Sequence, residues 1–295
     1  MTKTDPSLPT VLTIAGSDSS SGAGVQGDLK AIHALGGYAL TVPTAITSQN
    51  SQGVSAAYSL PKPVIEDQLN AVLSDYHIHA IKIGMLGSLD ALETVIQQLK
   101  KTTCRTIVLD PVLISSSGHP LLEKKALPIF INELLPLVSL ITPNLPEVNT
   151  LLNKPMKQFF VGKEEEMPEI AQALFSLGIQ AAVIKGGHSA ETLATDYLVQ
   201  PSHNRRHPIN IQSYSTERLE TTHTHGTGCT YASAIATELA KGKGLEEAIK
   251  NAKAYLFSAL MNADKAQPCY PQTHNKSKQP RKGGLNHFSR FNRIN

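Results

Sequence analysis

The sequence predicts an α/β fold: a doubly wound, mostly parallel sheet with helices on both faces and a small antiparallel hairpin at one edge. Three observations carry this. Short apolar, β-rich runs alternate with helical patterns along most of the 295 residues, the rhythm of parallel strands joined by crossover helices. Runs such as TIVLDPV (106–112) are nearly continuously apolar, as strands covered on both faces require. Past residue 195 the rhythm changes, and TDYLVQ and INIQSYS flank the polar PSHNRRH as an antiparallel hairpin would.

Taken in order, VLTIA (11–15) is the first strand and a helix follows over Ala23–Leu35. YALTVPTA (38–45) is a strand, then a helix runs from Val64 to Leu73. AIKIGM (80–85) precedes a helix at Leu89–Leu99, and TIVLDPV one at Lys124–Leu134. LITPN (140–144) leads to a short helix after Pro146, an acidic linker KEEEMPEI (163–170), a further helix and the strand AAVIKGG (181–187). After the hairpin, two helices rich in Ala and Leu close the chain, Gly226–Ala240 and Leu245–Asn262. This gives about seven to nine strands. No repeat or low-complexity linker divides the chain, so we expect an N-terminal extension (1–10), a single domain (11–264) and a basic tail (265–295).

With 41% hydrophobic residues the chain can bury a large core. No apolar run approaches the roughly 18 residues of a membrane span and the start MTKTDPSLPT lacks a signal-peptide core, so the cytoplasm is the expected compartment and no membrane partner is expected. Three cysteines without C-x-x-C spacing read as free thiols. From Asp264 onward seven Lys/Arg face a single acid, yet nothing else forms a basic stripe; the tail reads as a solvated or docked extension, and no nucleic-acid partner is expected.

Gly22, Gly24 and Gly27 spell G-x-G-x-x-G behind the first strand. A dinucleotide fingerprint needs its first glycine directly off the strand and an acid about 20 residues later. Here Gly16 to Ser21 intervene, and after Asp28 the next acid is Glu66; no Gly-Lys-Ser/Thr makes a Walker A loop either. The stronger signal is THTHGTGCTYASAIA. Gly226, Thr227 and Gly228 leave first-turn amides uncovered at the positive end of a helix dipole, an anion site, with Cys229 in that turn. The oriented amides are expected to lower the thiol's pKa. His223, His225 and His188 lack zinc-ligand spacing, and His225 is expected to orient the glycine turn.

TIAGSDSSSGAG, SQNSQGV, KIGMLGS, DPVLISSSGHPLL, LITPNLPE, VIKGGH and HGTGCTYASAIA, in this order, closely resemble the hydroxymethylpyrimidine and phosphomethylpyrimidine kinases of thiamine synthesis, members of the ribokinase-like superfamily. The resemblance runs from about Val11 to Asp264, with a recognisable GGLNHF in the tail. It implies a ribokinase-like fold, a homodimer as in relatives, and an ATP-dependent kinase that phosphorylates a small pyrimidine alcohol, 4-amino-5-hydroxymethyl-2-methylpyrimidine, and then its monophosphate. A pyridoxal kinase of the same cysteine-bearing subgroup is the alternative.

The Ser/Gly loop would then line the alcohol pocket. The resemblance places Gly16, Asp18, Ala23, Gln49, Met85 and Val112 around the pyrimidine, Gln49 reading the ring's polar edge. It gives the amides of Gly226, Thr227, Gly228 and Cys229 the γ-phosphate and Lys185 a point charge on the phosphates. Asn144, Lys185, Thr224, Gly226 and Gly228 would bind nucleotide. Asp110 and Glu147, with Asn144, would hold Mg²⁺ directly or through water; from the residues alone, Asp110 as a loop partner and Glu147 as a first-turn helix residue remain open. Cys229 stands where most sugar kinases of the superfamily carry an aspartate base, so a thiolate must fill that role or the alcohol needs little help. The first loop departs from the usual Gly-Ser-Asp-Pro-Ser-Gly-Gly-Ala-Gly by carrying Ser19 and Ser21, and Leu113 replaces a frequent methionine.

Overall fold

The structure is a computed structural model and describes residues 8–113, 121–186, 192–202, 204, 206, 208–268 and 283–289. Residues 114–120 of the DPV motif, Gly187, His188, Cys269 and most of the basic tail lie outside the described residues.

Among the described residues one sheet of nine strands runs in the order β3-β2-β1-β4-β5-β6-β7-β8-β9. Its parallel centre comprises β1 (Thr10–Asp18), β2 (Tyr38–Asn50), β4 (Ala80–Ile83), β5 (Ile107–Leu109), β6 (Leu140–Ile141) and β7 (Ala182–Ile184). The expected hairpin, β8 (Leu193–Pro201) with β9 (Ile209–Glu217), extends it antiparallel at one edge. At the other edge β3 (Gly53–Ser59) folds back on β2, an element the sequence reading does not contain. No residue of β3 is fully buried, so its short run of small and apolar residues marks out no core-facing side.

Alternation along the central strands sorts the core into two layers. Leu12, Ile14, Ile81, Ile83, Ile107, Leu109 and Ile141 face one cluster, packed with α2 (Lys62–Asp75), α3 (Leu89–Leu99), α5 (Leu145–Leu151) and α6 (Met167–Ser176). Val11, Ala80, Val108, Leu140 and Val183 face the other, under α1 (Gly24–Ala34), α7 (Thr227–Ala240) and α8 (Leu245–Met261). Each side chain fully buried in these layers contributes roughly 1.5–3 kcal/mol.

Two expected elements differ. The helix expected at Lys124–Leu134 is irregular: α4 (Leu127–Ile129) is followed by a π turn at Phe130–Leu134 and a 3-10 turn at Leu135–Leu137, because Pro128 and Pro136 each interrupt the hydrogen-bond ladder. KEEEMPEI is not a linker. Glu164–Glu166 form a 3-10 turn running into α6, and the Glu166 carboxylate accepts from the amides of Val161, Gly162 and Lys163 at 3.0, 2.7 and 2.9 Å.

Because β2 and β4 lie on opposite sides of β1, the chain reverses its winding at β1 and opens a crevice at the carboxyl ends of the strands. Asp18, Met85, Asp110, Asn144 and Lys185 all follow or end a strand on that rim.

Candidate active site

The Ser/Gly loop is organised by Asp18, which is 3% exposed. Its Oδ1 accepts from the amide and hydroxyl of Ser20 at 2.8 and 2.7 Å. Its Oδ2 accepts from the amides of Gly22 and Ala23 at 3.2 and 2.8 Å and faces His225 Nε2 at 2.7 Å. Burial alone would raise its pKa; hydrogen bonds from His225 and Ser20 outweigh that and hold it at about 2. With both oxygens engaged, Asp18 shapes the loop.

The glycines of the apparent fingerprint have steric reasons. A Cβ on Gly22 would sit 2.3 Å from the His225 ring, and one on Gly24, where φ is +58°, 2.3 Å from the Gly16 carbonyl. They let the Ser/Gly loop close on α1 and on the turn that starts α7. Gly226 completes this contact: φ is +85°, and a Cβ would lie 1.8 Å from the Gly22 carbonyl oxygen. His225 therefore joins the two loops, as expected, and its N–H meets the Gly283 carbonyl of the docked GGLNHF segment at 3.3 Å. A carboxylate only accepts, so His225 Nε2 carries its hydrogen toward Asp18. The Gln49 amide nitrogen, 3.2 Å from the same Nε2, then finds no lone pair there and can address a ligand.

At the start of α7 the amides of Gly228 and Cys229 have no carbonyl one turn back, while that of Thr227 turns to the Thr224 carbonyl at 3.3 Å. Above this turn Lys185 Nζ is 2.7 Å from Asp110 Oδ1 and 3.9 Å from Glu147 Oε2. A Cβ on Gly228 would be 3.2 Å from Asp110 Oδ2 and 3.3 Å from Lys185 Nζ, so the ion pair sits directly on the glycine. Burial works against the Lys185 charge, but Asp110 and Glu147 raise its pKa and keep it protonated. Burial, reinforced by Asp110 and opposed by Lys185, pushes Glu147 up to about 7. Glu147 also forms a capping box with Asn144: the Asn144 amide donates to Glu147 Oε2 at 2.7 Å and the Glu147 amide to Asn144 Oδ1 at 2.9 Å. The first-turn role left open for Glu147 is therefore real, and so is a loop bond for Asp110, whose Oδ1 faces Thr142 Oγ1 at 3.2 Å.

The residues named for the ring converge in part. A Cβ on Gly16 would meet the Met85 methyl at 2.3 Å, so the thioether lies over that glycine. Ala23, Gln49 and Met85 are half-buried on the crevice side. Val112, also half-buried, lies just beyond Asp110, its amide bonded to the Asp110 carbonyl at 2.8 Å. Thr224 is exposed.

The expected low thiol pKa is a correction. Burial pushes Cys229 up to about 11; Lys82 opposes the shift, Asp28 and Asp110 reinforce it, and a backbone hydrogen bond from Gly24 relieves it slightly. Desolvation and two carboxylates outweigh the helix amides. That same bond places the sulfur at the end of the Ser/Gly loop. Sequence reasoning missed Lys82 and Asp28, although a lone lysine inside AIKIGM and a lone acid in α1 were the available signals.

A carboxyl-edge crevice, a glycine turn opening a helix and a lysine held between two acids lie together on this ribokinase-like sheet, chemistry suited to an anionic ligand. The family model described as phosphomethylpyrimidine kinase matches residues 18–273. A hydroxymethylpyrimidine/phosphomethylpyrimidine kinase of Salmonella typhimurium is 41% identical over 253 residues, 86% of this chain and 91% of that protein. Among solved structures, phosphomethylpyrimidine kinase from Clostridium difficile has a TM-score of 0.71 at 37% identity, covering 85% of this chain and 98% of that one. An ADP complex of Bacillus subtilis pyridoxal kinase has a TM-score of 0.79 at 29% identity, covering 97% and 99%. The chain belongs to the phosphomethylpyrimidine kinase family.

Proposed function

We propose that this chain transfers the γ-phosphoryl group of ATP to the hydroxymethyl oxygen of 4-amino-5-hydroxymethyl-2-methylpyrimidine, and a second phosphoryl to the resulting monophosphate, in thiamine synthesis. The observation that carries this reading is Lys185, 2.7 Å from Asp110, seated on Gly228 at the start of α7 while Cys229 faces the end of the Ser/Gly loop.

Phosphoryl transfer needs alignment and charge neutralisation more than covalent chemistry. The Gly228 and Cys229 amides donate to the γ-phosphate oxygens, and Lys185 adds a charge that Asp110 and Glu147 hold in place. Gln49 and Met85 fix the ring so that its hydroxymethyl oxygen lies in line with the phosphorus. As the new O–P bond forms and the bond to ADP breaks, the hydroxyl proton passes to the Cys229 sulfur in its thiolate form. Upstream, residues 220–223 and Asp264 border an open depression of about 460 Å³, room for the nucleoside.

The acids suit Mg²⁺. No group of three or more His, Cys, Asp or Glu gathers as a metal cage among the described residues, but Mg²⁺ is commonly held by one or two carboxylates with phosphates and water. Asp110 Oδ2 and Glu147 Oε1 take no hydrogen bond among the described residues and would hold the ion. When bound, Mg²⁺ supplies charge neutralisation on the phosphates. A homodimer belongs to the same proposal, since β3 and β9 end the sheet with edges that pair with no strand among the described residues.

An ATP-consumption assay with the pyrimidine alcohol, its monophosphate and pyridoxal in parallel tests the reading. We expect both pyrimidines to be turned over at least tenfold faster than pyridoxal. Turnover of pyridoxal alone would assign the chain to the other vitamin.

A further inference from the structure

The buried ion pair beneath the phosphate turn is unused by the mechanism above. Lys82 and Asp28 are both 0% exposed, and Lys82 Nζ donates to both Asp28 oxygens at 2.8 Å. Thr13 Oγ1 and Ser233 Oγ also donate to Asp28, at 2.6 and 2.8 Å. Residues of β1, β4, α1 and α7 thus meet at one carboxylate, inside a layer otherwise filled by Val11, Ala80, Val108, Ala232 and Ile235. Such a pair contributes little net stability, because an apolar replacement of similar volume is often as stable. Its position points elsewhere. Ser233 follows Cys229 by four residues, about one helical turn, and so stands on the same face of α7. Four charged groups act on the Cys229 sulfur: Lys82 from β4, Asp28 from α1, Asp110 after β5 and Lys185 after β7; β1 and α8, which also pack on α7, add none. Lys185 is already bonded to Asp110 and lies against Glu147.

We propose that Lys82 is a positioning residue that supplies the buried counter-charge for the Cys229 thiolate, with Asp28 holding the ammonium in place and limiting how much of its charge the sulfur feels. The inference rests on the kinase reading for the purpose of the thiolate, and for its existence on the Lys82–Asp28–Ser233 bonds one helical turn from Cys229. The corrected thiol supports it: Lys82 is the strongest influence favouring the thiolate.

The rate of Cys229 alkylation by iodoacetamide, compared at fixed pH values between about 7 and 9 by peptide mass spectrometry, reports the thiolate without requiring turnover. Below the midpoint this rate follows the thiolate fraction, so a tenfold change in rate reads as a shift of about one pH unit in the midpoint. In Lys82→Met the positive charge is lost while Thr13 and Ser233 still donate to Asp28, and the midpoint should rise by about one pH unit, a tenfold loss of thiolate below it. In Asp28→Asn the carboxylate that offsets the ammonium is removed while the Cys229 thiolate and Asp110 still favour the charged Lys82, and the midpoint should fall by a similar amount. Lys82→Arg, which keeps the charge, should track the wild type. Opposite shifts are the signature, because a merely structural pair would move both variants together or neither. If Lys82→Met fails to fold, the signs in Asp28→Asn and Lys82→Arg decide. Unmoved or same-direction midpoints in folded variants overturn the inference. Failure of the kinase reading would show separately, as wild-type protein that uses no ATP with either vitamin precursor while the shifts persist.

Discussion

Replacing Gly226 with alanine puts a methyl group where the two loops of the site touch. Its Cβ would fall 1.8 Å from the Gly22 carbonyl oxygen and 2.8 Å from the Gly22 carbonyl carbon, both backbone atoms that no rotamer change can move. Contacts under 3.0 Å are essentially never seen, so the loops must part by about 1.2 Å. The left-handed backbone at φ +85° adds roughly 1–2 kcal/mol for any residue with a Cβ. In a chain of this size that strain lowers Tm by only several degrees. The separation matters more, since it pulls the alcohol loop from the phosphate turn, and a misplacement of about 1 Å can cost a hundredfold in rate. Gly226→Ala is therefore expected to stay folded by calorimetry while kcat/KM for the pyrimidine falls about a hundredfold. A kcat/KM within threefold of wild type would refute the claim that the Gly22–Gly226 contact sets the reacting distance.

Three further outcomes follow from particular residues. Ser21 holds φ +61°, a backbone conformation that glycine adopts freely, so Ser21→Gly should raise Tm by a few degrees at most, measured by calorimetry; a lower Tm would show that the serine is needed in the loop. Cys229→Ala should bind ATP as the wild type does, by titration calorimetry, yet lose at least a hundredfold in turnover; because the thiol lies near 11, wild-type turnover should climb with pH between 7 and 9 and the variant should lose that slope. His287, buried against Tyr255 with Lys30 nearby, is held at about 4 against 6.5 in an unfolded chain. The folded state refuses a proton that the unfolded state accepts, so the docking of the GGLNHF segment is at full strength above about 6.5 and is lost as pH falls through 4, which hydrogen exchange at Leu285 and Asn286 should report.

The layered sheet was legible because its central strands are nearly continuous apolar runs alternating with helical patterns, and the start of α7 because Gly226, Thr227 and Gly228 mark it. β3 was not, since Val54, Ala56 and Tyr58 bury no common face. The motifs pointed to Gln49, Met85, Lys185, Asp110 and the glycine turn, which fold onto one rim. What a linear reading could not weigh was crowding. The helix amides beside Cys229 argued for an acidic thiol, while the desolvation and the carboxylates of Asp28 and Asp110 that reverse this arrive from α1 and β5, far away in sequence. The bonds of Asp18 were likewise only partly legible: its partners Ser20, Gly22 and Ala23 are local, but the fourth, His225, comes from 207 residues further on.

A structure of the protein with a non-hydrolysable ATP analogue tests the account most directly. The terminal phosphate should lie within hydrogen-bond distance of the Gly228 and Cys229 amides and of Lys185 Nζ. A terminal phosphate bound elsewhere, with the start of α7 left facing water, would contradict it.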